Sequence, residues 1–147
     1  MTSKRKARKR KKFFTPAEAN AALPLVKAIV QDIATLAHSL TDRQERVRRL
    51  GPLENNGLSE AHREEIQDVQ TEMERDEDRM RDCMRELVEL GIELKDPFTG
   101  LIDFPGWIDG HEVYLCWRLG EEEVGHWHEL NKGFAGRQKL GVPVQST

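Results

Sequence analysis

The first half of the chain repeats apolar residues at alternating steps of three and four, which is typical of helices that pack along a narrow seam. One seam runs through residues 23–47 and is interrupted by the polar Gln44. A second seam runs through residues 66–90 and is interrupted by Asp76. Because residues 51–58 form only a short connection, the two seams predict a long, coiled-coil-like antiparallel helical hairpin.

Local signals mark the ends of both predicted helices. The segment Thr-Pro-Ala-Glu at 15–18 combines a capping hydroxyl, a proline suited to the first turn and a glutamate that can complete a capping box. The Gly-Pro pair at 51–52 predicts the first helix end, Ser59 is a suitable cap for the second helix, and Gly91 suits its left-handed end. Pro24 lies inside the first seam, so we expect a kink before it or a short separate first turn.

After Gly91 the hydrophobic period shifts towards two, which predicts strands. The predicted strands lie at 92–94, 101–104 and 113–119. We expect the Pro-Gly pair at 105–106 to end the second strand and the Asp-Gly pair at 109–110 to form a hairpin turn. Residues 124–129 suit a last strand or a helical turn, and the remainder looks irregular. This part of the chain is therefore predicted to form a small antiparallel β-meander.

Together these patterns predict an α+β protein in three parts. Residues 1–12 form a disordered tail, 13–91 the helical hairpin, and 92–147 a small β-rich unit packed on the hairpin. Further apolar residues widen the two helical seams: Ile29, Leu36, Met84 and Val88. The wider stripe predicts a homodimer through a four-helix arrangement, and the alternative is a monomer whose β unit covers it.

Charge is distributed very unevenly along the 147 residues, although the net charge is only −3. Eight basic residues fall within nine positions: Lys4, Arg5, Lys6, Arg8, Lys9, Arg10, Lys11 and Lys12. Residues 13–147 hold 15 basic and 26 acidic residues. Such a tail binds polyanions by releasing counterions, which predicts salt-sensitive, non-specific nucleic-acid binding. The alternative is a disordered segment that only improves solubility.

The two cysteines, Cys83 and Cys116, have no metal-binding or redox spacing, which favours buried thiols in a reducing compartment. No apolar run approaches the length of a membrane span, and no clear signal-peptide cleavage site follows the basic start. We therefore expect a cytoplasmic protein.

The segment His-Trp-His-Glu at 126–129 is the most suggestive candidate for metal binding. On a strand, His126 and His128 project to the same face, and Glu129 could add a carboxylate, a donor set suited to zinc or iron. His111 and Glu112 could supply further ligands from the preceding hairpin. The alternative is that Trp127 packs in the core while His128 and Glu129 only order a turn.

A candidate polar pocket lies on the other face of the clearest strand, formed with residues that follow it: Tyr114, Cys116, Arg118, His128, Glu129 and Arg137. Cys116 would be a nucleophile only if His128 lowered its pKa. The alternative is a buried sheet face on which Arg118 pairs with Glu121 or Asp103. Since no nucleophile elbow, Walker loop or dinucleotide motif occurs, the sequence favours a protein that is not an enzyme and assigns no catalytic residues.

Segments spread over residues 13–140 resemble those of a known family. The segments are FTPAEAN at 14–20, GIELKD at 91–96, GLIDFP at 100–105, VYLCWRLGE at 113–121, WHE at 127–129 and GFAGR at 133–137. They resemble the bacterial family catalogued as domain of unknown function 2203, a resemblance that implies no established activity. It also raises a structural role like that of DivIVA-type cell-division proteins.

The leading hypothesis is a non-enzymatic scaffold protein that its basic tail tethers to nucleic acid. The alternatives are a small metal-binding or metalloenzyme-like domain and a DivIVA-like structural protein.

Overall fold

Two long helices followed by one antiparallel sheet make up the fold, which confirms the α+β prediction. A computed structural model describes residues 12–51, 57 and 59–141. The helices are α1 (Pro16–Leu50) and α2 (Glu60–Leu90). The strands are β1 (Glu93–Asp96), β2 (Leu101–Ile108), β3 (His111–Arg118), β4 (His126–Glu129) and β5 (Gln138–Lys139). They pair in chain order, so the sheet is a five-stranded meander.

The predicted helix ends are confirmed by their hydrogen bonds. The Glu18 amide donates to the Thr15 hydroxyl at 3.0 Å, and the Thr15 amide donates to the Glu18 carboxylate at 2.8 Å, which completes the capping box. The Ser59 hydroxyl accepts from the His62 amide at 3.1 Å. Gly91 ends α2 with a φ of 84°, a left-handed conformation that favours glycine.

Pro24 does not separate a first turn from the rest of α1, because the helix is continuous through it. The proline is exposed, so its ring lies on the solvent side and needs no space in the core. Buried residues on both sides of it, Leu23 and Val26, anchor the helix to the sheet. Packing thus compensates for the hydrogen bond that proline cannot donate.

Strand β2 also continues further than predicted, through Pro105 and Gly106 to Ile108. The Pro105 carbonyl accepts a hydrogen bond from the Phe14 amide at 2.7 Å. This bond lies on the side of β2 that faces β1, past the β2 residues that pair with β1. In a strand, the N and the carbonyl of one residue face the same side. The N–H group that Pro105 lacks would therefore have pointed to this edge, so its absence removes no hydrogen bond between β2 and β3.

The remaining β segments correct the prediction of an irregular C-terminal part. Asp109 and Gly110 form the predicted tight turn with φ values of 50° and 82°. Of the two alternatives for residues 124–129, the strand is correct, as β4. After β4 the chain forms a single turn of 3-10 helix, Phe134–Gly136, and then returns to pair with β4 as β5.

One face of the sheet packs against the helices. Its core side chains are Ile102, Phe104, Val113, Leu115, Trp117 and Trp127. They contact the first half of α1 and the end of α2, and Phe14 joins the same cluster. Because strand side chains alternate, the residues between them face away from the helices.

Candidate functional site

Polar side chains from three neighbouring strands meet on the face of the sheet that points away from the helices. The register places Asp103 of β2 opposite Cys116 of β3, and Cys116 opposite His126 of β4. In the next row, Tyr114 lies opposite His128. Short connections and the meander topology thus bring residues distant in sequence into one cluster.

Three of these side chains form a buried group of metal-ligand type. The Nε2 atom of His128 lies 3.0 and 3.1 Å from the two carboxylate oxygens of Asp103. One potential ligand atom from each of Asp103, Cys116 and His128 lies within 4.8 Å of the others. Asp103 and His128 are each 2% exposed and Cys116 is fully buried. Among the described residues, no other group of three or more His, Cys, Asp or Glu side chains brings its potential ligand atoms so close together.

The orientation of His128 is fixed by its second ring nitrogen. Its Nδ1 atom lies 2.8 Å from the carbonyl oxygen of Glu129. Since a carbonyl only accepts hydrogen bonds, Nδ1 carries the proton and donates it there. The other nitrogen, Nε2, faces the Asp103 carboxylate. Metal-binding histidines are commonly held in this way, by a backbone carbonyl on the nitrogen that does not bind the ion.

Burial has clear consequences for the acidic groups of the cluster. It raises the pKa of the Asp103 carboxyl above its ordinary value, although the nearby His128 acts against this. Burial, together with the Asp103 charge, raises the pKa of the Cys116 thiol to about 11. A thiol with that pKa is protonated at neutral pH, so Cys116 does not suit the role of an activated nucleophile.

Segment 133–137 covers the cluster from outside. Arg137 makes two hydrogen bonds to Glu121, at 2.5 and 3.2 Å, and its Nη1 atom lies 3.9 Å from the Cys116 sulfur. The guanidinium groups of Arg137 and Arg118 lie 4.3 and 4.9 Å from the centre of the Phe134 ring. The side chain that pairs with Glu121 is therefore Arg137, whereas Arg118 contributes its backbone amide to Glu121 at 2.8 Å.

A small cavity of about 200 Å³ opens onto the cluster. Its lining residues are Lys95, Leu101, Asp103, Tyr114, His128, Leu130, Gly133 and Phe134. The Tyr114 hydroxyl donates to Glu93 at 2.8 Å, and burial with this bond raises the pKa of Tyr114 to about 12. A larger, apolar groove of about 890 Å³ lies where α2 meets β1, away from the cluster.

The structure brings together part of each predicted set. Tyr114, Cys116, Arg118, His128 and Arg137 of the candidate pocket share one face of the sheet. Glu129 does not join them, because it projects from the opposite face of β4 and lies 3.4 Å from His111. The predicted metal ligands His126, His128 and Glu129 therefore do not converge.

His126 remains beside the cluster and not within it. Its Nδ1 atom lies 3.9 Å from a Glu121 oxygen, too far for a hydrogen bond, and has no other partner among the described residues. Of the basic tail, residues 4–11 lie outside the described residues. Lys12 is described, and its ammonium lies 4.9 Å from the centre of the Phe14 ring.

Asp103 is the site residue that sequence reasoning missed. Its signal was weak, because a carboxylate between Ile102 and Phe104 is equally expected on the solvent-facing side of a half-buried strand. The partner was not identifiable, since His128 follows 25 residues later and the register of three strands decides the contact.

The donor set fits a divalent transition metal. A thiolate, an imidazole and a carboxylate are the ligands that proteins use for zinc and ferrous iron. Three protein ligands would leave at least one coordination position of the ion open. Asp103 and His128 both line the cavity, so this position could be reached from it. Such an ion would supply a Lewis acid at the floor of the cavity.

Comparisons with other proteins identify the family and go no further. Searches of the curated proteins and of the solved structures find no significant match to this chain. No helix in the described ranges is both long and apolar enough to cross a membrane. A family model described as "Uncharacterized conserved protein (DUF2203)" matches residues 12–140. Since that match covers most of the sequence, the chain belongs to the DUF2203 family.

Proposed function

We propose that this protein binds a divalent transition metal, zinc or ferrous iron, through Asp103, Cys116 and His128. The observation that carries the proposal is the convergence of three buried ligand atoms within 4.8 Å. Asp103 and His128 offset the cost of each other's burial through their contact at 3.0 Å, and an ion between them and the thiol would take over that role. The hydrogen bond from Nδ1 of His128 to the Glu129 carbonyl also supports this assignment, because it leaves Nε2, the nitrogen that faces Asp103, as the one that could bind an ion.

An ion at this position would also change the state of Cys116. Without metal the thiol keeps its proton, because its pKa is about 11. Zinc and iron bind the thiolate, so binding would release that proton. Since the ligands belong to three strands, the ion would also fix the register of the sheet. An open position towards the cavity makes a binding or metalloenzyme-like role a better fit than a purely structural one.

The test is elemental analysis and calorimetric titration of tag-free protein with Zn²⁺ and Co²⁺. We expect a single ion per chain in the wild type and loss of binding in His128→Ala and Cys116→Ser. The serine variant preserves side-chain size, and circular dichroism will verify that each variant is folded. His126→Ala is the matched control, because His126 shares the same face but lies outside the cluster, and it should retain the ion. A wild type without stoichiometric metal refutes the proposal.

A second candidate function, nucleic-acid binding, is supported by charge alone. Eight cations within residues 4–12 would release counterions on binding a phosphate backbone. We expect removal of residues 1–11 to abolish binding to duplex DNA and RNA and its dependence on salt. Metal content should be unaffected by this truncation. Equal affinity and salt dependence of the truncated chain would refute the tether.

A further inference from the structure

The cavity beside the proposed metal site has its own chemical character, and this inference rests on the proposed function. Asp103 and His128 line the cavity, whereas Cys116 does not. An ion held by all three would have the Cys116 sulfur behind it and the cavity in front of it. A ligand that enters the cavity would therefore meet the ion directly.

The size and walls of the cavity restrict what can enter. Its volume of about 200 Å³ is well below the range of pockets for drug-sized molecules. At about 30 Å³ for each water-sized group, it holds roughly six or seven non-hydrogen atoms. Leu101, Leu130 and Phe134 make much of its wall apolar. These features select a short molecule with one polar end.

The charges indicate which polar end the cavity accepts. Lys95 lines the cavity, with its ammonium 2.8 Å from a Glu93 oxygen and 5.0 Å from the centre of the Tyr114 ring. Without metal, the Asp103 carboxylate would repel an anion. A divalent ion would offset the charges of Asp103 and the Cys116 thiolate, as Lys95 offsets the charge of Glu93, so the loaded site carries no net negative charge. The open position of the ion and the three N–H donors of the Lys95 ammonium, of which Glu93 accepts one, then suit an anionic oxygen.

We propose that the metal-loaded protein binds a short-chain monocarboxylate in this cavity. One carboxylate oxygen coordinates the ion and the other accepts a hydrogen bond from Lys95. The hydrocarbon tail packs against Leu101, Leu130 and Phe134. Lys95 is thus assigned a role in ligand specificity and none in holding the metal.

The experiment uses Co²⁺-loaded full-length protein, whose visible and near-ultraviolet spectrum reports on the ion. Titration with butyrate should change the d–d bands saturably, and the uncharged butyramide should not. Butyrate should bind about tenfold more tightly than acetate, because it buries two further methylene groups. We expect Lys95→Gln to weaken butyrate binding about tenfold and to leave cobalt affinity unchanged. Lys27→Gln, which removes an exposed lysine of α1, is the matched control and should bind butyrate normally.

The outcomes separate this inference from the proposed function. If no thiolate-to-cobalt charge-transfer band forms, both the metal site and the inference are refuted. If the band forms and butyrate leaves the spectrum unchanged, the inference alone is refuted. Equal responses to butyrate and butyramide, or equal butyrate affinity in Lys95→Gln and Lys27→Gln, would also refute the assignment of an anionic ligand held by Lys95.

Discussion

At the scale of single residues, Glu121 links the cover of the site to the sheet. Its carboxylate accepts two hydrogen bonds from Arg137 and one from the Arg118 amide. Its own backbone carbonyl accepts from the indole of the buried Trp117 at 3.1 Å. One residue thus holds the segment with Phe134 over the buried cluster and also joins the core.

The Glu121–Arg137 pair predicts how stability depends on pH. Burial by itself would raise the pKa of Glu121, but the bonds from Arg137 and the Arg118 amide outweigh it, so this pKa lies below the ordinary value of 4.5. The pair therefore stabilises the fold above that value, and the stabilisation is lost as the pH falls through the lower, folded pKa. We expect Glu121→Gln to lower the free energy of unfolding by about 1–2 kcal/mol at pH 7.

Urea unfolding at pH 7 and at pH 3 measures the prediction. The difference between wild type and Glu121→Gln should shrink at the lower pH. Glu122→Gln, at an exposed neighbour, is the control and should change stability by less than about 0.5 kcal/mol. A difference that stays constant over this pH range would contradict the assigned role of the pair.

At the scale of elements, the helical hairpin has two distinct halves. Near the sheet, α1 buries apolar residues such as Val26 and Ile33. Towards its free end the contacts between the helices become polar, where Arg43 pairs with Asp76 of α2 and also contacts Glu72 at 3.1 Å. The predicted polar break at Asp76 is thus a specific pairing that also fixes how the helices align.

Replacement of Pro24 tests how α1 tolerates a proline. Because Pro24 is exposed and the helix continues through it, Pro24→Ala would restore a hydrogen bond without disturbing the core. We expect the free energy of unfolding to rise by about 1–3 kcal/mol, measured by urea denaturation. Pro16→Ala, at the first helical position, is the control and should have little effect. A destabilised Pro24→Ala protein would mean that α1 needs the proline.

At the scale of the whole molecule, the sheet covers only part of the helical hairpin. Val88 of α2 is 70% exposed although its neighbour Leu87 is buried. Both line the apolar groove of about 890 Å³ with Met84, Ile92 and Leu94. The four residues that widen the seams therefore divide: Ile29 and Leu36 are buried within the chain, Met84 is partly buried, and Val88 remains on the surface.

The predicted homodimer can be tested at this groove. If a second copy covers it, Val88→Asp should convert a dimer to a monomer in light scattering without loss of helicity. Leu25→Asp is the matched control, because Leu25 is 56% exposed and does not line the groove. A wild-type monomer would contradict the dimer prediction.

Local interactions made much of the fold predictable. The capping box at Thr15, the left-handed Gly91 and the turn at residues 109–110 depend on neighbours within four positions, so the sequence contains all the information they need. The seams predicted the hairpin because helical periodicity is also local. The continuation of β2 through Pro105 was not predictable from the sequence. Whether the missing N–H of Pro105 would break a hydrogen bond depends on which neighbour it faces, and that is known only once β1 and Phe14 are in place.

The sequence by itself thus determined the two helices, their ends, the strand-rich C-terminal part and the residue types available for chemistry. Only the tertiary structure decided which of those residues meet. A shift of register by one residue would turn every side chain to the other face, so the contact of His128 with Asp103 depends on the pairing of three strands. The separation of Glu129 from His128 has the same cause, because adjacent strand residues face opposite sides.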